Sequence, residues 1–267
     1  MSHGIEDESS ESLPHDSELE SLPDLETECS QSSDEYDHDV AELFSRPRVV
    51  PVCISQGQLI GGPSVDIKTG VDLRVAKKRI ETQRKLDKHR TKVVVLSPPC
   101  SRYSQLHRYF KKNKQAASSE QKDAEAFELL QFAMDVAKSQ HRNRRKFIFE
   151  HPAGASSWQL DIVKSVKDIP GIYTVDFDQC ALGLCTRVKQ IPTKKRTRFL
   201  TNLPGVVHTF KEFQCMCKPV HLVKGKNKKH MMLTGAEGGL SRTAHAEVYP
   251  PAMCYAMAKC IADHCKF

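Results

Sequence analysis

A cysteine that directly follows two prolines is the residue of this chain best suited to nucleophilic chemistry. The apolar run Val93–Leu96 stops at Ser97-Pro98-Pro99, and Cys100 comes next. This pattern predicts a buried strand that ends in a turn. Because a thiolate is a strong nucleophile and the prolines fix the backbone before it, Cys100 is a candidate catalytic residue. A turn that buries an unreactive thiol is the alternative, since free cysteines are often buried.

Three more short apolar runs stop at polar residues, and these runs are Val40–Phe44, Phe147–Phe149 and Ile172–Phe177. Apolar residues at helical spacing also predict a helix over Glu120–Gln140. Strands that alternate with helices predict an α/β fold with a doubly wound, mostly parallel sheet, in which ligands bind outside the carboxyl ends of the strands. Cys100, Glu150 and Asp178 each follow such a strand, so we expect them at one edge of the sheet.

Charge is divided unevenly along the chain. Residues 1–39 contain fourteen acidic residues and no Lys or Arg, so residues 40–267 hold all 40 basic residues against 19 acids, a net charge of +21. An acidic, serine-rich segment cannot bury enough apolar surface to fold, which predicts a disordered tail over residues 1–39. The basic body predicts nucleic acid as a partner, although solvated loop lysines such as Lys224–Lys229 are the plainer explanation.

The sequence has no apolar run near the roughly 18 residues of a membrane span, and its N-terminus does not resemble a signal peptide. We therefore expect an intracellular protein, nuclear if its source is a eukaryote, that is a monomer and does not bind membranes. In that setting the ten cysteines are reduced thiols, metal ligands or a nucleophile.

Four motifs resemble those of the cytosine-5 DNA methyltransferases and occur in that family's order. The segment Ser97–Cys100 with Ser104 is similar to the nucleophile loop, and Phe149–Pro152 stands where the family has Glu-Asn-Val. The segment Arg196–Arg198 matches an Arg-x-Arg at the start of a strand, and Ala246–Met253 is similar to the family's last motif. The ordered set covers residues 40–267. Its variant strings are most similar to the divergent methyltransferase-like genes of phages and retroelements.

The resemblance implies a Rossmann-like, S-adenosylmethionine-dependent methyltransferase that acts on carbon 5 of cytosine in DNA, or alternatively in RNA. Cys100 would add to carbon 6, Glu150 would protonate the ring nitrogen, and Arg198 would hold the pyrimidine carbonyl. Ionisation of the thiol needs a cation nearby, and Arg102, Arg196 and Arg198 are available. A duplex substrate would have its target base flipped out of the stack.

Plainer roles are open for the same residues. Glu150 could be a loop acid in an ion pair, and Arg196 and Arg198 could be a solvated strand end or a phosphate clamp. Trp158 is expected in the core, and His151 could simply hydrogen-bond the loop in which the family has Asn. The alternative function is a catalytically inactive, methyltransferase-like domain that binds nucleic acid, such as one encoded by a mobile element.

The cofactor loop is where the chain departs from the family. The family's first strand ends in a glycine-rich loop that approaches S-adenosylmethionine closely, whereas Glu42–Arg48 contains no glycine. Two later aspartates could bind the ribose hydroxyls or the adenine amine, or could belong to an Asp/Gly turn. The residues expected to bind the cofactor are Phe44, Ser45, Asp66, Asp72 and Pro98.

A short Lys- and Cys-rich insert, at about residues 203–243, stands where the family has a larger recognition domain. It predicts phosphate-driven, weakly sequence-selective binding. No metal is expected, because Cys215-Met216-Cys217 has a shorter gap than the two to four residues usual between zinc ligands. The residues that could bind zinc despite this are Cys180, Cys185, Cys215, Cys217 and His221.

Overall fold

The computed structural model describes residues 37–104, 116–218, 220–222, 226–228 and 230–266, so residues 1–36 of the predicted acidic tail lie outside it. Six strands form the central sheet: β1 (Val40–Leu43), β2 (Gly61–Val65), β3 (Val93–Leu96), β4 (Lys146–Pro152), β5 (Tyr173–Asp178) and β6 (Arg196–Thr201). Their spatial order is β2-β1-β3-β4-β6-β5. Each of the four predicted apolar runs corresponds to a strand of this sheet, although Phe44 and Ile172 lie one residue outside β1 and β5.

Helices cover both faces of the sheet, as the doubly wound prediction requires. They are α1 (Val49–Gly57), α2 (Ala76–Lys88), α3 (Ala116–Arg142), α4 (Asp161–Lys167), α5 (Pro204–Phe210), α6 (Arg242–Ala246) and α7 (Pro251–Cys265). Helices α1, α5 and α7 pack with Ile148, Phe177 and Phe199 on one face. Helices α2, α3 and α4 pack with Phe149 and Leu200 on the other. In the described part of the chain, no helix is both long and apolar enough to span a membrane.

Strand β6 is the exception to the parallel arrangement. Strands β1 to β4 pair in parallel, whereas β6 runs antiparallel to both β4 and β5. The prediction of a mostly parallel sheet is therefore confirmed, with one reversed strand inside it. Because β6 runs backwards, its first residues lie beside the carboxyl ends of β4 and β5. The reversal thus adds residues around Lys195 to the edge where ligands of such sheets bind.

The predicted insert contains two short hairpins in the described residues. Strands β7 (Val220–Leu222) and β8 (Lys226–Lys228) pair in one hairpin, and β9 (Ala236–Glu237) and β10 (Leu240–Ser241) pair in the other. Single 3-10 turns follow several strands of the central sheet, including one at Gln179–Leu182 after β5.

Candidate active site

Cys100 and Glu150 come together at the carboxyl ends of two neighbouring parallel strands. Leu96 of β3 pairs with Phe149 of β4, so the segment that leaves β3 toward Cys100 lies beside the last residues of β4. Glu150 belongs to β4 itself, whereas the apolar run had predicted that it follows the strand. Cys100 is half-buried and Glu150 is buried. Burial, followed by the negative charge of Glu150, raises the pKa of the Cys100 thiol to about 11, and Lys195 opposes the rise. Burial first, and the charge of Glu150 second, thus make the thiol harder to ionise than an ordinary cysteine.

The buried carboxylate of Glu150 faces two polar side chains, Tyr249 and Lys195. Its Oε2 lies 3.3 Å from the hydroxyl of Tyr249, which in turn lies 2.5 Å from Ser97 Oγ. A carboxylate only accepts hydrogen bonds, so Tyr249 donates to Glu150 and Ser97 donates to Tyr249. Oε1 accepts no hydrogen bond from the described residues and faces Lys195 Nζ at 3.7 Å. One oxygen of a buried carboxylate thus faces an ammonium group but has no hydrogen-bond donor within the described residues.

Lys195, and not one of the expected arginines, is the cation beside Cys100 and Glu150. Arg102 binds Asp123, with 2.6 Å between Nε and Oδ1. Arg198 forms two hydrogen bonds with Asp176, at 2.5 and 2.9 Å.

Alternation along β6 explains why Arg196 and Arg198 point away from Glu150. Glu150 pairs in register with Phe199, whereas Arg198 pairs with His151. Successive side chains of a strand point to opposite faces, so Arg196 and Arg198 lie on the face opposite Glu150. The guanidinium of Arg198 sits 5.2 Å from the ring centre of Trp158 on that face. Trp158 itself is buried, as expected of a core residue.

His151 links β4 to the nucleophile loop. Its Nε2 lies 3.2 Å from the carbonyl oxygen of Pro98, and its Nδ1 lies 2.7 Å from Ser157 Oγ. A carbonyl only accepts, so Nε2 carries the proton and Nδ1 accepts from the Ser157 hydroxyl. Complete burial lowers the pKa of His151 to about 4. A neutral imidazole therefore fixes the loop that carries Cys100.

A buried carboxylate closes the helix terminus that follows β1. Glu42 Oε1 accepts hydrogen bonds from the backbone amides of Arg48, Val49 and Val50 at 2.9, 2.7 and 2.5 Å. Glu42 Oε2 accepts from Ser45 Oγ at 2.8 Å. These amides form the N-terminus of α1, a position that would otherwise attract an anion. The glycine-free loop thus uses the chain's own carboxylate where a ligand could have bound.

The other residues expected to bind the cofactor differ in which of their side-chain atoms remain accessible to a ligand. Phe44 has a positive φ of 66° and packs edge-on against Phe132, while Pro98 is buried in the nucleophile loop. Asp72 binds Arg74 with both carboxylate oxygens. Asp66 caps a 3-10 turn through Oδ1, which accepts from the amide of Lys68 at 2.8 Å. Within the described residues, Oδ2 of Asp66 has no such role.

Three of the five zinc candidates meet at the end of β5. The sulfur atoms of Cys180, Cys215 and Cys217 lie with a nitrogen of His230 so that all four atoms are within 4.8 Å of one another. Cys185 is elsewhere, where its thiol donates to Gln190 Oε1 at 2.8 Å. The side chain of His221 lies outside the described residues.

Sequence reasoning missed Lys195, Tyr249, Glu42 and His230 as functional candidates. Lys195 and Tyr249 lie within or next to motifs that resemble the family, and the buried, charged Glu42 interrupts an otherwise apolar strand. That interruption is a usable signal, because a buried carboxylate needs partners. His230 gave no comparable signal, since the path of the insert decides where it lies.

No known protein family matches this chain, and no curated protein does either. A solved structure of a methyltransferase from Entamoeba histolytica is similar, with 12% sequence identity and a TM-score of 0.31. The similar region covers 61% of this chain and 52% of that one, so this chain spans about half the length of that methyltransferase. At this level of similarity, neither activity nor substrate carries over.

Proposed function

We propose that this chain is an S-adenosylmethionine-dependent methyltransferase that acts on carbon 5 of cytosine in DNA, with Cys100 as nucleophile and Glu150 as proton donor. The observation that carries the proposal is the placement of Cys100 and Glu150 at the ends of neighbouring parallel strands, with Glu150 Oε1 unbonded within the described residues. A nucleophile beside a buried proton carrier is what addition to a pyrimidine ring requires.

The protonated thiol of Cys100 fits a concerted transfer of one proton. As Cys100 Sγ forms a bond to carbon 6 of the base, its proton passes to Glu150, which delivers a proton to the ring nitrogen. The protein thus gains no net charge when the ring is activated. Loss of the negative charge on Glu150 removes the interaction that raises the Cys100 pKa, so the two steps assist each other.

The reaction ends when the bond formed first, between sulfur and carbon 6, breaks again. The cofactor, when bound, supplies the methyl group to carbon 5, which the thiol adduct has made nucleophilic. The carbon 5 proton then leaves to water and the sulfur–carbon 6 bond breaks. The ring-nitrogen proton returns through Glu150 to the sulfur, so Cys100 regains its thiol. Lys195 stabilises negative charge on sulfur and on Glu150 as the proton moves, since it faces both groups.

The residues present fit the nucleoside end of S-adenosylmethionine better than its amino acid end. Asp66, directly after β2, has Oδ2 available for a ribose hydroxyl. Phe44, directly after the neighbouring strand β1, has a half-buried ring, and its amide donates to the carbonyl of Val65 at 2.7 Å. Asp72 does not fit this role because Arg74 holds both its oxygens. The N-terminus of α1 does not fit a ligand carboxylate because Glu42 fills it.

A second candidate function is nucleic-acid binding without catalysis. The closure of the α1 terminus by Glu42 favours it, because that contact removes a ligand position at the end of the first strand. The net charge of +21 over residues 40–267 supports nucleic acid as the partner in either case. Only the cofactor and the covalent step separate the two candidates.

Trapping with 5-fluorocytosine tests the enzyme. Fluorine leaves no proton to lose from carbon 5, so an oligonucleotide carrying this base should stay bonded to Cys100 when S-adenosylmethionine is present. The adduct should be absent in Cys100→Ser and present in Cys185→Ser, a control that replaces another half-buried thiol. Binding of the oligonucleotide without an adduct, together with no measurable affinity for S-adenosylmethionine, would establish the non-catalytic candidate instead.

A further inference from the structure

We propose that Cys180, Cys215, Cys217 and His230 bind one structural zinc ion, which ties the insert to the end of β5. Three sulfur atoms and one imidazole nitrogen, all within 4.8 Å of one another, form the complete ligand set of a Cys3His site. The proposal concerns a site apart from Cys100 and Glu150, and it holds for an enzyme and for a binding domain alike.

The backbone explains how cysteines separated by one residue reach the same ion. From Phe213 to Lys218 half-buried and exposed residues alternate, and Met216 is 89% exposed. An extended chain places residues two apart on the same side, so Cys215 and Cys217 face inward together. The short gap counted against zinc on sequence grounds, but it suits this extended segment.

Distances between the four side chains suit a tetrahedral ion. The Cys215 sulfur lies 3.2 Å from His230 Nε2, and the four ligand atoms all lie within 4.8 Å of one another. Zinc bonds of roughly 2.3 Å to sulfur and 2.0–2.1 Å to nitrogen place neighbouring ligand atoms roughly 3.5–3.8 Å apart. Small side-chain rotations therefore suffice to bring all four ligands to the ion.

Four protein ligands leave no position for water or substrate, so the site is structural and not catalytic. Cys180 lies in the 3-10 turn after β5, while the other ligands come from the insert. The amide of Cys215 also donates to Asp178 Oδ2 at 3.1 Å, and this hydrogen bond holds the backbone of the ligand in place. Zinc would thus join two segments that are 35 or more residues apart in sequence.

A zinc ion at these four ligands would also hold the residues at the carboxyl edge of the central sheet. Asp178 Oδ2 also faces Lys194 Nζ and Arg196 Nη1, at 3.8 and 3.7 Å. The amide of Met231, next to His230, donates to the carbonyl of Pro192 at 2.9 Å. An ion at the four ligands would therefore hold the insert against the basic segment that leads into β6.

Metal content of the full chain tests the proposal. Protein purified with added zinc and then freed of loosely bound metal should contain one zinc ion per chain. Cobalt, as a spectroscopic substitute, should show the thiolate and ligand-field bands of a tetrahedral sulfur site. Cys217→Ser and His230→Ala should each weaken zinc binding at least about tenfold. Cys185→Ser, which changes a cysteine that is not one of the four proposed ligands, should retain full zinc content.

Hydrogen exchange separates a lost ligand from a lost fold. Removal of zinc from the wild-type protein should speed exchange in residues 211–218 and leave β1, β3 and β4 unchanged. The Cys217→Ser protein should show the same pattern without a chelator. Absence of zinc and of cobalt bands in the folded wild-type protein would overturn the proposal. A disulfide among the three cysteines in that protein, or equal zinc binding by Cys217→Ser and wild type, would do so as well.

Discussion

Glu150 and Lys195 face each other where β4 ends and β6 begins, with 3.7 Å between Oε1 and Nζ. Lys195 also donates to the carbonyl of Ala246 at 3.2 Å, so its ammonium group is held from two sides. Both residues act on the Cys100 thiol, with opposite signs: the carboxylate raises its pKa and the ammonium lowers it. Burial raises the pKa of Cys100 most, and the balance between these two side chains then adjusts it.

The rate at which iodoacetamide alkylates Cys100 should report this balance. Glu150→Gln removes the charge that raises the thiol pKa, so alkylation at pH 8 should become faster. Lys195→Met removes the opposing charge, so alkylation should become slower. Each unit of decrease in pKa multiplies the thiolate fraction roughly tenfold at a pH well below the pKa. Mass spectrometry of the Cys100 peptide measures the rate, with the Cys185 peptide as internal reference. Equal rates in Glu150→Gln and wild type would contradict the contact.

The neutral state of His151 should make stability depend on pH in acid. Its pKa is about 4 in the folded protein and 6.5 in model compounds. A lowered folded pKa means that its contribution is complete above pH 6.5 and is lost as the pH falls towards 4. The loss from this residue is at most about 1.4 kcal/mol per pH unit.

His151→Asn tests this dependence, because asparagine does not titrate. Chemical denaturation from pH 7 to pH 4 should give a flatter profile for the variant than for wild type. His38 and His264, whose pKa values are also lowered, are present in both proteins and drop out of the difference. Parallel profiles would show that His151 is already protonated when folded.

Arg198→Ala should affect stability more than catalysis. The side chain gives two hydrogen bonds to Asp176 and stacks on Trp158, on the face opposite Glu150. Its loss should lower the free energy of unfolding by about 1–3 kcal/mol. The rate of 5-fluorocytosine adduct formation should stay within about threefold of wild type. Asp176→Ala is the matched control and should give a similar, non-additive loss.

A different result for Arg198 would restore one of its sequence-based roles. A large fall in adduct rate at unchanged oligonucleotide affinity would place Arg198 on the base. A fall in affinity alone, with a shallower salt dependence, would place it on phosphate.

Replacement of Glu42 should open an anion site at the start of α1. Glu42→Ala leaves three backbone amides and the Ser45 hydroxyl without their acceptor, which should destabilise the fold by roughly 2–4 kcal/mol. Sulfate, which can accept from the same amides, should raise the melting temperature of Glu42→Ala more than that of wild type. Glu42→Gln retains one acceptor oxygen, so sulfate should raise its melting temperature less than that of Glu42→Ala. Identical sulfate effects on all three proteins would contradict the anion site.

Strand ends were the part of the site that sequence could predict. Apolar runs followed by polar residues located Cys100 and Glu150, because the carboxyl ends of parallel strands share an edge. The pattern did not reveal that β6 runs backwards or which face each of its side chains takes. Arg198 was consequently expected beside Glu150, whereas Lys195 lies there. One residue of register decides between them, and the strand partner that fixes register lies about fifty residues away.

The zinc group shows a second limit of the same kind. Cys180, Cys215 and Cys217 were candidates by type alone, and His230 was not. Spacing rules describe ligands that share one local turn, but here an extended segment meets a turn from another part of the chain. Only the path of the insert reveals such a group.

The position of β6 between β4 and β5 also constrains the order in which the sheet is completed during synthesis. A ribosome releases β5 before β6, yet β5 has no partner in this sheet other than β6. Until residue 201 has emerged, the edge of β4 carries unpaired backbone groups that can bind other strands. Until β6 is available, the nascent chain therefore exposes the edge of β4, and β5 remains unpaired. Parallel pairing of β5 with β4 in this interval would be a misfolded arrangement, and it would have to break before β6 could insert between them.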